Sequence, residues 1–304
     1  MKIPFFKPWI NDDDKKSVIN TLNQRWLTNG PNLQKFENRF KSINNSKYSL
    51  GVSTATHGLH LSLKSLGIGY GDEVIVPTFT FSATADAVEY CNAKPIFTDV
   101  DMDSFNILSN EIKKKITKRT KAIVVVHYGG QSCDMAEILK ISKEKNIPII
   151  EDCAHALGST YGKQKCGTIG DIGCFSFYPT KIITTGEGGM ITTNDIKLFK
   201  KIKSLRSHGM NILPSEREKK ASWEYDITEL GFNYRLDEIR SGLGFSQLKR
   251  LGEINKRRKM IAKKYSQLLN NVKGIITPVT KNNCNHIFHL YSIKVDKTYS
   301  LTRD

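Results

Sequence analysis

The chain has 304 residues and a formal net charge of +16, with 39% hydrophobic and 25% charged residues. These values allow one large core plus a smaller appendage and exclude wholesale disorder, and no apolar run is long enough to span a bilayer as a helix. The opening "MKIPFFKPWINDDDKK" lacks a signal-peptide core, because prolines and acids interrupt it at once. Six cysteines stand singly, without the paired spacing of a zinc site, and with no secretory context they read as reduced thiols of a cytoplasmic protein. The basic runs "EIKKKITKRTK" and "KLFKKIKSLRS" carry apolar residues at helical spacing, which makes them solvated helix faces. No nucleic-acid motif accompanies the charge.

In chain order, "DDDKKSVINTLNQ" and "PNLQKFENRFKSI" read as helices, the first capped by Asn11 or Asp12 and the second with Pro31 in its first turn. "YSLGVS" is a strand running into the helix "TATHGLHLSLKSLG". Strand and helix then alternate through "DEVIVP", "FSATADAVEYCN", "KPIFTDV", "SNEIKKKI", "KAIVVVH", "DMAEILKISKEKN" and "IPIIEDCA". Such alternation predicts right-handed crossovers and a mostly parallel, buried sheet. Two short strands, "CFSFYP" and "GMITTN", flank a loop that holds Lys181. From Asp195 to Asn271 the pattern is helical, and "FHLYSIKV" offers one late strand. In "DVDMDSFNILSNE" the acids Asp99, Asp101 and Asp103 begin like a calcium loop. Ser104 stands where that loop needs glycine and Asn110 where it needs glutamate, so no metal site is expected and the passage reads as a strand end and turn.

In open α/β sheets ligands collect beyond the carboxyl ends of the strands. The residues there are 53–56, 77–81, 127–130, 152–155 and 179–181. In "GVSTATHGLH" a strand gives way to small residues and then a helix, so free N–H groups and the helix dipole converge on a spot suited to phosphate. The same residues also suit an ordinary helix cap. In "IPIIEDCAHALG" an apolar strand ends in Glu151 and Asp152. A carboxylate leaving a buried strand needs a cationic partner or stays protonated. It is either a turn cap or the group that keeps a heterocyclic nitrogen protonated, with His155 either orienting it or packing in the core. Lys181 follows the apolar, aromatic "CFSFYPT" and precedes "TTGEGG", whose backbone can approach a ligand closely. An amine partly withdrawn from water there becomes a nucleophile toward carbonyls. A phosphate nest, an acid for a pyridinium and a Schiff-base lysine are together the protein's side of pyridoxal phosphate (PLP) chemistry.

Three blocks, "VPTFTFSATADAVEYCNAKPIFTDVD", "EDCAHALGSTYGKQKCGTIGDIGCFSFYPTKIITTGEGGMITTND" and "LGFNYRLDEIRSGLGFSQLKRL", resemble the DegT/DnrJ/StrS sugar-nucleotide aminotransferases. The resemblance runs from "IPFFKPWI" to about Leu251. It implies a fold-type I PLP enzyme: a three-layer α/β sandwich around a mostly parallel sheet, with a large PLP-binding unit over 1–245 and the start of a smaller C-terminal domain over 246–304, incomplete relative to the family. It further implies that Lys181 bonds covalently to the cofactor and shuttles a proton, and that Asp152 pairs with the pyridine nitrogen. Phe81 would stack on the ring, adding roughly 0.5–1.5 kcal/mol beyond area burial. Ser176 and the backbone N–H groups of Ala55, Thr56 and His57 would hold the phosphate, with Asn233 reaching it from the neighbouring subunit of a homodimer. Thr28 and Asn29 fall where relatives touch the sugar nucleotide. Ile182 stands where many members have asparagine, and Ser241-Gly242 replaces the usual alanine pair. The implied reaction moves an amino group from an amino acid, glutamate foremost, to a nucleotide-linked keto-sugar. Family dehydratases carry histidine in place of the lysine, and Lys181 argues against that chemistry. A PLP-binding regulatory role is the other alternative.

Overall fold

Adjacent residues of the central strands are buried on opposite faces, which is what a sheet covered on both sides requires. The computed structural model describes residues 4, 6–212 and 223–299. In β2 (Glu73–Pro77) and β4 (Thr120–Val126), Val74, Val76, Ala122 and Val124 join one apolar cluster while Ile75, Ile123 and Val125 join another. In β8 (Ile172–Ser176), Cys174 faces the first cluster and Phe175 a third. The seven-stranded sheet runs β1 (Tyr48–Val52), β9 (Gly189–Thr193), β8, β5 (Ile149–Asp152), β4, β2 and β3 (Lys94–Thr98). β9 is antiparallel to both its neighbours, and the pairings among β8, β5, β4, β2 and β3 are parallel.

One face is covered by α3 (Ala55–Ser65), α4 (Ala83–Glu89) and α7 (Ile196–Leu205). The other carries α5 (Ser109–Lys115) and α6 (Met135–Lys145) at one end, α2 (Pro31–Asn44) and α8 (Glu238–Leu248) at the other. The expected three-layer α/β sandwich is therefore the fold observed. α7 buries Ile202 and Leu205 and exposes Lys197, Lys200 and Lys201, as a solvated basic face should. Asn11 caps α1 (Asp12–Leu22) reciprocally with Asp14, whose carboxylate also accepts from Gln247 and Arg250 and so ties α1 to α8. The calcium-like passage is a turn: Asp101 accepts the N–H groups of Asp103 and Ser104, and Lys281 and Lys294 neutralise Asp101 and Asp103.

Two expectations are corrected. Helix does not continue from Asp195 to Asn271, since α7 stops at Leu205, where His208 and Gly209 take positive φ of 64° and 73°. The described part of the return is irregular and held by the isolated bridges Met210–Ile227, Ser207–Asn233 and Val52–Arg235, until α8 and α9 (Leu251–Leu269) resume the helix. Residues 213–222, part of that stretch, and the end of the chain beyond Tyr299 lie outside the described residues. In "FHLYSIKV" only Lys294–Val295 (β12) forms a strand, against β10 (Ile275–Ile276). Phe288 has φ 52°, which breaks the extended run, and the segment instead donates Ile287 N–H to Gly130 O and Leu290 N–H to Gly129 O. Beside it, β11 (Cys284–Asn285) extends the small β6 (Thr160–Tyr161) and β7 (Gln164–Lys165) hairpin.

α2 begins without a side-chain cap of its own, and the buried Glu238 supplies one from α8. Its carboxylate accepts the N–H groups of Gly30 at 2.8 Å, Asn32 at 2.7 Å and Leu33 at 3.0 Å. Negative charge at a helix N-terminus is favourable, and each abandoned buried N–H is costly. Glu238→Ala is expected to destabilise the fold by about 2–4 kcal/mol in denaturant unfolding, with Glu238→Gln losing less.

Candidate active site

β5 ends in two acids that the strand's alternation sends to opposite faces. Glu151 is sealed in the core, where it accepts from His127 Nε2 at 2.8 Å and from the N–H groups of Gly167, Ile169 and Gly170 at 2.7–2.8 Å. With Cys153 these residues form the metal-like cluster among the described residues, but both Glu151 oxygens and both His127 nitrogens are already hydrogen-bonded. Asp152 instead lines a cavity of about 590 Å³ at the carboxyl end of the sheet. Its Oδ2 accepts from Thr84 Oγ1 at 2.9 Å and its Oδ1 from Ala154 N–H at 3.0 Å.

Lys181 lines the same cavity. The loop that carries it closes on Phe177, whose carbonyl accepts from Thr184 Oγ1 and the Thr185 N–H and whose ring is fully buried beside Phe36 and Phe40. Ile182, 5% exposed, and Ile183, 1% exposed, bury their side chains immediately after it. The amine is thus held by apolar anchors on both sides of its loop. Among the described residues it has no hydrogen-bond or ion-pair partner. Burial pushes the Lys181 pKa down, and the Asp152 charge opposes that shift. Burial pushes the Asp152 pKa up, against the hydrogen bonds from Ala154 and Thr84 and the field of Lys181. Each group is therefore moved toward its neutral form, and each is the other's partial compensation.

The third wall is the start of α3. Thr54 caps it, accepting the His57 N–H at 3.1 Å, while Ala55 and Thr56 line the cavity with N–H groups that no other described residue accepts. Gly189 lets β9 lie against this helix start, since a Cβ there would sit 2.8 Å from the Ala55 nitrogen. Ser176 lines the cavity as well, and Phe81 stands at its rim, 78% exposed. His155 reaches the cavity through its ring, with Nδ1 accepting from Gly129 N–H at 3.4 Å. Burial lowers its pKa to about 3, so it is a neutral imidazole there.

Of the residues expected from the sequence, Lys181, Asp152, His155, Ser176, Phe81, Ala55 and Thr56 therefore meet in one cavity. His57 does not line it: its N–H belongs to the cap, and its ring stacks on Tyr234 at 3.7 Å. Asn233 is exposed on the return segment, and Thr28 and Asn29 lie in the turn before α2, Thr28 bridged to Asp237. None of these four lines the cavity. Sequence reasoning missed Thr84, which orients Asp152 and is itself bonded to Thr80 at 2.7 Å. The one-turn spacing of the two threonines in "TFTFSATAD" was the available signal.

The raised pKa of Asp152 has a consequence for stability. Between its ordinary value of 3.8 and the higher folded value the folded state binds more protons, so stability falls as pH rises through that window. Above it, the ionised carboxylate carries the full penalty of burial. Asp152→Asn is expected to leave the cofactor-free protein at least as stable as the parent at pH 7 by thermal unfolding, with the difference narrowing as pH falls toward 3.8.

A family model described as the DegT/DnrJ/EryC1/StrS aminotransferase family matches residues 8–304. The chain is 40% identical over 296 residues to the spore coat polysaccharide biosynthesis protein SpsC of Bacillus subtilis, covering 97% of this chain and 76% of that protein. It is 38% identical over 305 residues to the GDP-perosamine synthase of Caulobacter vibrioides, covering 100% of this chain and 80% of that one. Among solved structures it resembles Spr1654 of Streptococcus pneumoniae in its PLP form, with a TM-score of 0.91, 30% identity and coverage of 98% and 79% of the two chains. A match over nearly the whole sequence, and relatives at this identity sharing its fold, lead to one conclusion: the chain belongs to the DegT/DnrJ/EryC1/StrS aminotransferase family.

Proposed function

We propose that the protein is a PLP-dependent aminotransferase that passes an amino group from an amino acid, glutamate foremost, to a keto-deoxysugar linked to a nucleoside diphosphate. The observation that carries this reading is the meeting of Lys181 and Asp152 in one cavity beside the unclaimed N–H groups of α3. The names of the relatives, a spore coat polysaccharide protein and a GDP-perosamine synthase, support an amino sugar as product and surface polysaccharide as its destination. No helix among the described residues is long and apolar enough to cross a membrane, which accords with a cytoplasmic setting for a nucleotide-linked substrate.

The residues present fit PLP. The Ala55 and Thr56 N–H groups and the Ser176 hydroxyl would hold its phosphate, the unpartnered Lys181 amine would meet its aldehyde, and the Asp152 carboxylate fixed by Thr84 and Ala154 would meet its ring nitrogen. When bound, PLP carries the amino group between the two substrates and draws electron density from the carbon being deprotonated. Lys181 Nζ would anchor the cofactor and would serve as the base that moves a proton between the two carbons. Its depressed pKa favours that neutral form. Asp152 would hold a proton on the ring nitrogen, with Thr84 and Ala154 keeping the carboxylate aimed, and Phe81 would cover the ring.

We further infer a homodimer in which Asn233 reaches the phosphate of a second copy. The support is the exposure of Asn233 and of large apolar residues around the cavity mouth and return segment: Phe81 at 78%, Ile227 at 63% and Leu230 at 87%. Thr28 and Asn29 would meet the sugar nucleotide outside the cavity. In this scheme residues 1–245 hold the cofactor, and 246–304 begin the smaller unit.

Lys181→Ala is expected to abolish the visible absorbance of the bound cofactor and to lower turnover by roughly 10²–10⁴-fold or more. Borohydride reduction of the parent followed by peptide mapping should place the cofactor on Lys181, and a label elsewhere would sink the reading. Sedimentation should give twice the chain mass, and a persistent monomer with full activity would remove the role given to Asn233.

A further inference from the structure

A second cavity, of about 410 Å³, meets the first at His155, Thr180 and Lys181. Its charged lining is Lys7, Lys181 and Arg258, without an acid. Arg258 comes from α9 and is largely withdrawn from water. One arm of its guanidinium, Nη1, donates to the carbonyl of His289 at 3.2 Å, and among the described residues no carboxylate pairs with it. The ring of His289 also lines this cavity and packs on His155 at 4.5 Å between centroids. Its Nδ1 is sealed from solvent with no hydrogen-bond partner. A guanidinium that no carboxylate compensates and the His289 imidazole thus line one space, next to the reactive amine.

A desolvated guanidinium without an anion is costly, and a ligand carboxylate that reaches it removes the penalty. We propose that Arg258 and His289 receive the carboxylate of the amino-acid donor. This rests on the aminotransferase reading of Lys181. The chemistry of the donor fits the placement, because in an amino acid only one carbon separates the amine from the α-carboxylate. An amine delivered to the position of Lys181 Nζ therefore brings its carboxylate into the adjoining cavity. The planar fork of arginine matches a carboxylate in shape, and the His289 carbonyl steadies one arm of it. A neutral imidazole can donate a further hydrogen bond, and burial with the nearby His155, Lys181 and Arg258 keeps His289 neutral. The rest of the wall mixes the apolar Ile182, Ile183, Ile254 and Leu290 with the uncharged polar Thr180, Thr184, Gln247 and Tyr291. A single largely buried guanidinium matches one carboxylate, and in this proposal the diphosphate of the acceptor is left to Thr28, Asn29 and solvent.

The test uses glutarate, a dicarboxylate that has no amine to react, with the cofactor-free protein in a calorimeter, and GDP as the diphosphate probe. Glutarate should bind the parent at least about tenfold more tightly than Arg258→Gln, with Arg258→Lys between them and GDP unaffected. His289→Asn gives a second variant should Arg258→Gln unfold, and it too should weaken glutarate. With the cofactor bound, the glutamate concentration for a half-maximal spectral change should rise by the same factor in Arg258→Gln, while an amine without a carboxylate reacts as with the parent. Equal glutarate affinity in parent and variants overturns the proposal, as does a loss confined to GDP. A parent holoprotein whose spectrum ignores glutamate and every other amine would instead defeat the aminotransferase reading, and the glutarate titration would then judge the cavity alone.

Discussion

A lysine and an aspartate share one partly dry cavity, and each is held there against its preference for water. Neither is close enough to the other for an ion pair, so the compensation is incomplete: burial drives the Asp152 pKa up and the Lys181 pKa down. An interior that leaves two opposite charges half-satisfied is poised for a third component that satisfies both. The fold holds this state because the anchors are apolar and rigid. Phe177, Ile182 and Ile183 fix the lysine loop, and the Asp152 carboxylate hangs at the end of a strand whose other residues are core.

Buried carboxylates elsewhere show the contrasting solution. Glu151 and Glu238 are fully sealed, yet each gathers three backbone N–H groups, and Glu151 a histidine as well. They act as fasteners: Glu151 closes the loop before β8, and Glu238 starts α2 from across the chain. Asp152 accepts one N–H and one hydroxyl, which orients it without saturating it. Neighbouring acids on one strand thus serve structure and chemistry by facing opposite ways.

The segment after α9 completes the surroundings. Its residues 284–292 follow the left-handed turn at Gly129 and Gly130, where a side chain at Gly130 would collide with Ile287. That docking brings His289 onto His155 and sets Arg258 toward the lysine. A stretch with the composition of a strand becomes a wall of the site because the turn at the end of β4 offers two carbonyls to its N–H groups, where a sheet edge would have offered a ladder.

The alternation of β-branched runs with helical patterns determined the parallel sheet, because period and burial are local properties of the chain. Lys181, Asp152 and the start of α3 were legible for the same reason: each lies at or a few residues beyond the carboxyl end of a strand, where the topology of an open sheet collects ligands. The return after Leu205 and the late "strand" were not legible, since positive φ at His208 and Phe288 is chosen by contacts distant in sequence. Thr84, Arg258 and His289 gain their meaning only from what stands opposite them. The amino-acid order by itself determined which residues end the strands and so which could act. The tertiary structure alone decided which acid faces the cavity, that His57 serves the helix cap, and that a guanidinium without a carboxylate stands beside the lysine, because pairing and burial are settled between elements rather than along them.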